Sequence, residues 1–290
     1  MKKGLVCLPI VTIVVFCTLN FATASTGNYS TSFHNSTLCT GEHTLMEMDN
    51  TSNGMSNQNY VTKNVSVPHS ISKGTVYIGS LDHNVYALDA RTGTKVWSYT
   101  TGDSVESVPV VANGIVYVGS LDRNVYALDA NTGAKVWSYT TGSRLGTLVY
   151  SSPVVANGVV YIGIDKNVSA LDARTGAILW SYVTGNIVES SPAIANGIIY
   201  VGSLDDNVYA LNASTGAKLW NYTTGYWVVS SSPTVANGIV YVGGWDHNVY
   251  ALDARTGAKV WSYTTGSIVW SSPAVIANGI VYVGRLNHNV

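Results

Sequence analysis

The stretch Ser80-Leu-Asp-His-Asn-Val-Tyr-Ala-Leu-Asp-Ala-Arg-Thr-Gly93 returns in nearly the same letters four more times along the chain. A second segment, Gly-x-x-Tyr-x-Gly, begins at Gly74, Gly114, Gly158, Gly197, Gly238 and Gly279. Successive starting positions differ by 40, 44, 39, 41 and 41 residues. Self-similarity at a nearly fixed period indicates a repeat architecture, so the period decides the fold before any single residue does.

Each unit holds four short β-prone runs separated by turn residues. One unit reads Val154-Val-Ala, Val159-Val-Tyr-Ile, Val168-Ser-Ala-Leu and Ile178-Leu-Trp-Ser-Tyr. About 40 residues in four strands suit one blade of a β-propeller, and no stretch shows a helical period. The sequence therefore predicts an all-β fold, a β-propeller of four-stranded blades with five complete blades and a partial sixth.

The turn residues account for most of the repeated aspartates and asparagines. Asn113-Gly114 and its equivalents are predicted to join the first and second strands, because Asn-Gly accepts the positive φ of a type I′ hairpin. Asp82-His-Asn84 is predicted to join the second and third strands, and Asp89-Ala-Arg-Thr-Gly93 the third and fourth. In such turns a carboxylate accepts backbone N–H groups. We therefore expect the repeated aspartates to have structural roles.

A tryptophan stands four residues after the glycine that ends each turn between the third and fourth strands. A flat indole on an outer strand can pack over the neighbouring blade and bury a large apolar area. The sequence therefore predicts five structural docking residues in the core, which are Trp97, Trp137, Trp180, Trp220 and Trp261.

Charge and histidine spacing restrict the ligands. Only 11% of the residues are charged and the formal net charge is -1, so no basic field exists to attract nucleic acid. The six histidines lack the close spacing of a zinc site, and each turn aspartate stands alone, with too few oxygens for calcium. We expect no metal site, no cofactor and no nucleic-acid partner.

The amino terminus has the pattern of an export signal. Lys2 and Lys3 precede an apolar run from Leu5 to Phe21, and Ala22-Thr-Ala24 has the small-x-small form of a cleavage site. We favour cleavage after Ala24, and an uncleaved membrane anchor is the alternative. The protein is therefore predicted to be extracytoplasmic, either secreted or associated with the cell surface.

The composition divides the chain into three parts. Residues 1–24 form the predicted signal peptide, and residues 25–65, rich in Asn, Ser and Thr, a predicted disordered linker. Beyond the signal only Cys39 remains, so the fold must be held by its core and not by disulfides. Residues 66–290 form the repeats, with predicted blades at about 66–102, 107–142, 151–185, 190–225 and 231–266 and a partial blade at 271–290.

The repeated segments resemble a known family. Residues 87–97 (ALDARTGTKVW), 127–137 (ALDANTGAKVW) and 251–261 (ALDARTGAKVW) are similar to the tryptophan-docking motif of the pyrroloquinoline-quinone-type β-propeller repeat. The resemblance covers residues 66–290 and recurs in every complete unit. It implies the fold more firmly than an activity, because function lies in sites placed on folds.

The family's two branches imply different functions. Its quinoprotein dehydrogenases hold the quinone and Ca²⁺ on the propeller axis and usually stack the quinone on a disulfide between adjacent cysteines, whereas other members carry no cofactor and serve as binding platforms. This sequence has no adjacent cysteine pair. We expect an exported non-catalytic scaffold that binds a surface protein, a peptide or a glycan, with a dehydrogenase fragment as the alternative.

Positions at which the copies differ are the candidate ligand-binding residues. The blade-to-blade links and the turns between second and third strands should share one face, because strands alternate in direction. On that face the copies differ at Glu106, Tyr150, Glu189, Trp227, Trp245 and Trp270. Exposed aromatic side chains beside carboxylates suit peptide, protein or sugar contacts. The alternative, that these side chains fill gaps between irregular links, stays open.

The sixth unit contains only the first two strands of a blade. A two-stranded hairpin is marginal by itself, and the outer edge of its second strand, at residues 280–284, would present unpaired backbone groups beside Tyr282. The sequence predicts strand addition or self-association there. A second possibility is that Thr40-Gly41-Glu-His-Thr-Leu45, which copies the docking spacing with Leu for Trp, supplies an outer strand.

Overall fold

The computed structural model describes residues 45–47, 61–63, 74–141, 149–226, 228, 231–269, 271–275 and 279–284. The chain divides into two compact units, Met1–Gly74 and Thr75–Val290. In the first unit, strand β1 (Leu45–Glu47) pairs antiparallel with β2 (Val61–Lys63). Both strands lie in the range predicted to be a linker. Three paired residues are too few to produce a period that the sequence could reveal.

The second unit consists, in its described part, of β-strands that form successive blades. The strands of blade 1 are β3 (Thr75–Gly79), β4 (Asn84–Asp89) and β5 (Lys95–Thr100). Blades 2 and 3 comprise β6 (Val110–Ala112), β7 (Ile115–Gly119), β8 (Asn124–Asp129), β9 (Lys135–Thr140), β10 (Val154–Ala156), β11 (Val159–Ile164), β12 (Asn167–Asp172) and β13 (Ile178–Val183). Blades 4 and 5 comprise β14 (Ala193–Ala195), β15 (Ile198–Gly202), β16 (Asn207–Asn212), β17 (Lys218–Thr223), β18 (Thr234–Ala236), β19 (Ile239–Gly243), β20 (Asn248–Asp253) and β21 (Lys259–Thr264). Blade 6 has β22 (Ala274–Val275) and β23 (Val281–Tyr282).

Within each blade, consecutive strands pair antiparallel in sequence order. In blade 2, for example, Tyr117 lies opposite Ala127 and Ala127 opposite Trp137. Blades 2 to 5 each have four strands and blade 1 has three described strands, because its predicted first strand lies outside the described residues. The predicted all-β propeller with a partial sixth blade is confirmed.

The hydrophobic core lies between blades. One cluster joins Val85 and Trp97 of blade 1 to Val116 and Leu128 of blade 2, and three more clusters repeat this arrangement at the next junctions. The four-stranded sheets of blades 2, 3 and 4 are thus covered on both faces by their neighbours, which is how a propeller buries the faces of small sheets. Within the described part of the chain, no helix is long and apolar enough to cross a bilayer.

The predicted turn conformations are present. Asn113, Asn157, Asn196 and Asn237 have φ between 51° and 52°, and the glycine after each is also at positive φ. Blade 3 differs between its second and third strands, where Asp165 has φ 50° and Ile164 pairs directly with Asn167. Asp165 aligns with Asp82 in the repeated sequence, but this turn is one residue shorter. Asp165 therefore takes the positive-φ position that His83 occupies in blade 1.

The indoles dock on the next blade through a hydrogen bond. In four of them the indole Nε1–H donates to a backbone oxygen of the next blade. The pairs are Trp97 to Ala130 (2.9 Å), Trp137 to Ala173 (3.0 Å), Trp180 to Ala213 (2.9 Å) and Trp220 to Ala254 (3.0 Å). Trp261 differs, because it is 39% exposed and no described residue accepts a hydrogen bond from its indole.

Candidate binding face

The links between blades position the predicted face residues by alternation. In the link before blade 2, Val105 is buried, Glu106 is exposed and Ser107 is buried. In the next two links the middle residue is half-buried between two buried neighbours, as in Val149, Tyr150 and Ser151 and in Val188, Glu189 and Ser190. An extended backbone places alternate side chains on opposite sides. Two inward-facing neighbours therefore hold each face residue outward.

The inward-facing neighbours are fixed by close contacts. A Cβ atom on Gly119 would lie 2.5 Å from Val149 Cγ1, so only glycine admits this valine. Ser107 Oγ accepts a hydrogen bond from the backbone N–H of Gly119 (2.8 Å) and donates to the backbone oxygen of the same glycine (2.9 Å). Ser190 makes the same pair of bonds with Gly202. Each link is thereby anchored to the end of a second strand.

A second serine in each link joins consecutive blades. The backbone N–H groups of Val108, Ser152, Ser191 and Ser232 donate to the hydroxyl oxygens of Ser152, Ser191, Ser232 and Ser272, at 2.7 to 3.0 Å. This ladder was not predicted from the sequence. The recurring Ser-Ser-Pro triplet was the available signal, and Val108 interrupts it in the link before blade 2.

The turn aspartates bridge neighbouring blades. Asp122 Oδ2 accepts hydrogen bonds from the Tyr126 hydroxyl (2.6 Å) and from the backbone N–H of Gly102 in the preceding link (2.6 Å). Asp205 forms the same bridge to Tyr209 and Gly185, and Asp246 to Tyr250 and Gly225. The expected structural role therefore extends beyond the local turn. Burial, together with the bond to Asp246, raises the pKa of Tyr250 to about 12.

The face residues of three successive links influence one another electrostatically. The pKa of Glu189 lies above its usual value because the carboxyl is partly buried and because Glu106 is near. Burial also raises the pKa of Tyr150, and both glutamates add to this effect. Residues 106, 150 and 189 therefore form a cluster of two carboxyls and a phenol at the ends of the innermost strands.

The other predicted face residues are distributed differently. Trp227 and Trp270 lie outside the described residues. Trp245 is half-buried in the turn before Asp246 of blade 5, on the face that carries the links. Tyr226, in the link to blade 5, is 46% exposed. The structure therefore brings together three of the six predicted residues and places a fourth on a neighbouring part of the same face.

A calcium ion would need more donors than this cluster provides. Across the described ranges, no group of three or more His, Cys, Asp or Glu residues could hold a metal ion. A calcium site takes six to eight oxygen ligands, which Glu106, Glu189 and Tyr150 do not supply. These three residues therefore do not by themselves supply a calcium site.

A separate groove lies on the opposite face, between blades 3 and 4. It has a volume of about 510 Å³, and its walls include Asn157, Tyr161, Trp180, Asn196 and Ala213. None of the predicted face residues lines it. The groove and the cluster are therefore different places on the propeller.

Comparison with known proteins identifies relatives of this arrangement. A family model described as outer membrane protein assembly factor BamB matches residues 47–186 and 164–287. No curated protein sequence matches the chain.

Solved structures show the same fold at low sequence identity. BamB from Moraxella catarrhalis is 22% identical, with a TM-score of 0.65, over 79% of this chain and 74% of that one. The computationally designed Ika8 protein is 20% identical, with a TM-score of 0.64, over 75% and 70%. A quinohemoprotein alcohol dehydrogenase from Pseudomonas putida is 24% identical, with a TM-score of 0.58, over 67% of this chain and only 41% of its own length.

Proposed function

Since this chain belongs to the family of the outer membrane protein assembly factor BamB, we propose that it is an exported, non-catalytic β-propeller scaffold. It binds a protein or glycan partner at the cell surface. The binding face is the one that carries Glu106, Tyr150, Glu189 and Trp245, together with Trp227 and Trp270. The partner's contact region includes a lysine or arginine side chain that enters between the two glutamates.

One observation carries this proposal, namely the convergence of Glu106, Tyr150 and Glu189 from three successive links. Two carboxylates that repel each other lower the stability of the fold, so a structural role does not explain why they lie together. Because the folded protein raises the pKa of Glu189, the carboxylate form destabilises the fold as the pH rises above the ordinary value for glutamate. A cationic group from a partner would relieve this repulsion.

The direct experiment measures binding to candidate surface proteins and to a glycan array. The Glu106→Gln/Glu189→Gln variant removes both negative charges and keeps the shape. We expect affinity to fall at least about tenfold, with thermal stability at neutral pH unchanged or higher. The control is Lys135→Gln, on an exposed outer strand far along the sheet from the links.

Trp245→Ala tests the aromatic part of the face. We expect weaker binding with a nearly unchanged melting temperature. A steep loss of stability would instead mean that Trp245 is a packing residue. Equal binding by the wild type and all variants would contradict the assignment of binding to this face.

A fragment of a quinone-dependent dehydrogenase is the second candidate, and the fold match to the quinohemoprotein alcohol dehydrogenase favours it. Titration with pyrroloquinoline quinone and Ca²⁺, followed by absorbance, and a dye-linked alcohol dehydrogenase assay separate the two functions. Saturable quinone binding accompanied by turnover would overturn the non-catalytic proposal.

A further inference from the structure

The groove between blades 3 and 4 contains a tyrosine whose hydroxyl has no internal partner. At three other junctions the equivalent hydroxyl donates to a backbone oxygen of the next blade. The pairs are Tyr77 to Ala130 (2.9 Å), Tyr117 to Ala173 (3.0 Å) and Tyr200 to Ala254 (3.0 Å). Tyr161 lines the groove and is only 4% exposed, yet none of the described residues accepts a hydrogen bond from its hydroxyl. A nearly buried hydroxyl without a partner costs free energy, so a role inside the protein does not account for it.

Two wall positions of this groove carry smaller side chains than their equivalents at other junctions. Strand β11 begins with Val159, whereas β7, β15 and β19 begin with isoleucine. Ser214 follows Ala213 in the turn of blade 4, whereas the same turn has arginine in blades 1, 3 and 5. Asn212 also replaces the aspartate that begins this turn in the other blades. The wall is therefore less bulky here, and the turn has lost both of its charges.

The polar groups of the groove are uncharged and available. None of the residues that line the groove carries a charge at neutral pH. Burial raises the pKa of Tyr161, so its hydroxyl keeps the proton that it can donate. In the part of the chain that the structure describes, the side-chain amides of Asn157 and Asn196 and the hydroxyl of Ser214 form no hydrogen bond. Four neutral polar groups therefore line one groove with their hydrogen-bonding capacity unused.

The rest of the wall is aromatic and aliphatic. Trp180 is partly buried, whereas the other three docked tryptophans are each 8% exposed. Leu179 and Ile194 also line the groove. A sugar ring has this same combination, because its hydroxyl groups surround apolar C–H faces that pack on aromatic side chains.

We propose that the groove between blades 3 and 4 is a binding site for a neutral mono- or disaccharide. Sugar hydroxyls accept a hydrogen bond from Tyr161 and pair with the amides of Asn157 and Asn196, while a C–H face lies against Trp180. The volume of about 510 Å³ lies within the roughly 300 to 1,000 Å³ of small-ligand pockets. A charged sugar would lose hydration without gaining a counter-charge, so neutral sugars are favoured.

This site is separate from the face that carries Glu106 and Glu189 and does not depend on the function proposed for that face. A small ligand with few contacts binds weakly, so we expect a Kd on the order of 1 mM. The probes are glucose, galactose, mannose and N-acetylglucosamine, with glucuronic acid as a charged counterpart. Saturation-transfer NMR and calorimetry measure their binding to the full chain.

The first test fills the groove with the residues of the other blades. Val159→Ile/Ser214→Arg should fold normally, because three other blades carry isoleucine and three carry arginine at these positions. We expect sugar affinity to fall at least about tenfold. The control is Asn131→Arg, which places the same arginine at the equivalent position of blade 2 and should leave sugar binding unchanged.

The second test removes one hydroxyl at each of two junctions. Tyr161→Phe should weaken sugar binding while the melting temperature stays the same or rises, because no internal hydrogen bond is lost. Tyr117→Phe loses the bond to the Ala173 oxygen. It should therefore lower the melting temperature by about 2 to 4 °C and leave sugar binding unchanged.

Four outcomes would overturn the proposal. None of the four neutral sugars could bind saturably at about 10 mM, or glucuronic acid could bind more tightly than all of them. Val159→Ile/Ser214→Arg or Tyr161→Phe could bind sugar as well as the wild type. Finally, sugar binding could be lost in Glu106→Gln/Glu189→Gln, which would place the sugar on the opposite face and leave the groove without a ligand.

Discussion

At the residue scale, four of the five docking tryptophans donate a hydrogen bond to a carbonyl of the next blade. The Trp137 indole is 8% exposed and donates to the Ala173 oxygen, whereas Trp261 is 39% exposed. We predict that Trp137→Ala lowers the free energy of unfolding by about 3 to 5 kcal/mol through the cavity that it leaves. Trp261→Ala should cost about 1 kcal/mol. Urea titration of both variants compares them, and equal costs would contradict the assignment of Trp137 to the core.

Asp122 shows how a turn residue can stabilise a junction between blades. Its carboxylate accepts bonds from Tyr126 and from Gly102 of the preceding link, so Asp122→Asn should cost about 1.5 to 3 kcal/mol. Asp165→Asn is the matched control, because the Asp165 side chain accepts no hydrogen bond from the described residues. We expect its cost to stay within about 0.5 kcal/mol. Chemical denaturation measures both costs, and similar values would show that the bridge adds nothing to the turn.

The local contact of a turn aspartate can be predicted from the sequence, whereas its bond to the neighbouring blade cannot. Asp-x-Asn in a hairpin indicates a local carboxylate contact, because the partners are two residues away in sequence. The bond from Gly102 to Asp122 crosses 20 residues. It exists only because the blades pack side by side, which no local pattern can reveal.

At the element scale, blade 6 provides the clearest test of how a blade is completed. Its hairpin leaves Tyr282 53% exposed. We predict that the protein without residues 1–24 self-associates at this edge, and that appending a copy of residues 250–266 after Val290 suppresses it. The appended copy places an Ala-x-Thr-Gly turn about 34 residues beyond Trp261, the spacing at which Trp220 meets Ala254.

Sedimentation and fluorescence of the two proteins decide this prediction. The appended strands should bury the Trp261 indole and shift its emission to the blue, an effect absent in a Trp261→Phe background. If the shorter protein is monodisperse and the amides of residues 280–284 exchange slowly, the edge is already covered and the prediction is wrong.

At the scale of the whole molecule, buried tyrosines link stability to alkaline pH. Burial and the hydrogen bond to an aspartate raise the pKa of Tyr126 and Tyr209, and the pKa of Tyr250 to about 12. Because the folded pKa lies above the unfolded value of about 10, these tyrosines stabilise the fold fully below that pH. The contribution is lost as the pH rises from about 10 through about 12.

The measurement is the urea midpoint at a series of alkaline pH values, with phenolate absorbance followed in parallel. Tyr250→Phe removes one of the raised groups and should make the decline shallower. A midpoint that stays constant while the tyrosines ionise would contradict the link between these phenols and stability.

The repeated sequence is sufficient to predict the fold of this protein. A period near 40 residues, Asn-Gly turns and a tryptophan at a constant offset are local signals repeated five times, and repetition averages out the ambiguity of any single copy. The same regularity made the deviating positions visible, and the structure brings Glu106, Tyr150 and Glu189 of this set together.

The tertiary structure alone decided which of these residues act on one another. Glu106 and Glu189 are 83 positions apart in the sequence, and only the stacking of blades joined by the serine ladder brings their charges within range. It also distinguished Trp261 from the four docked tryptophans, although all five share one motif, because burial depends on what the next blade provides. A motif specifies a side chain and its backbone, whereas its partner is specified by packing.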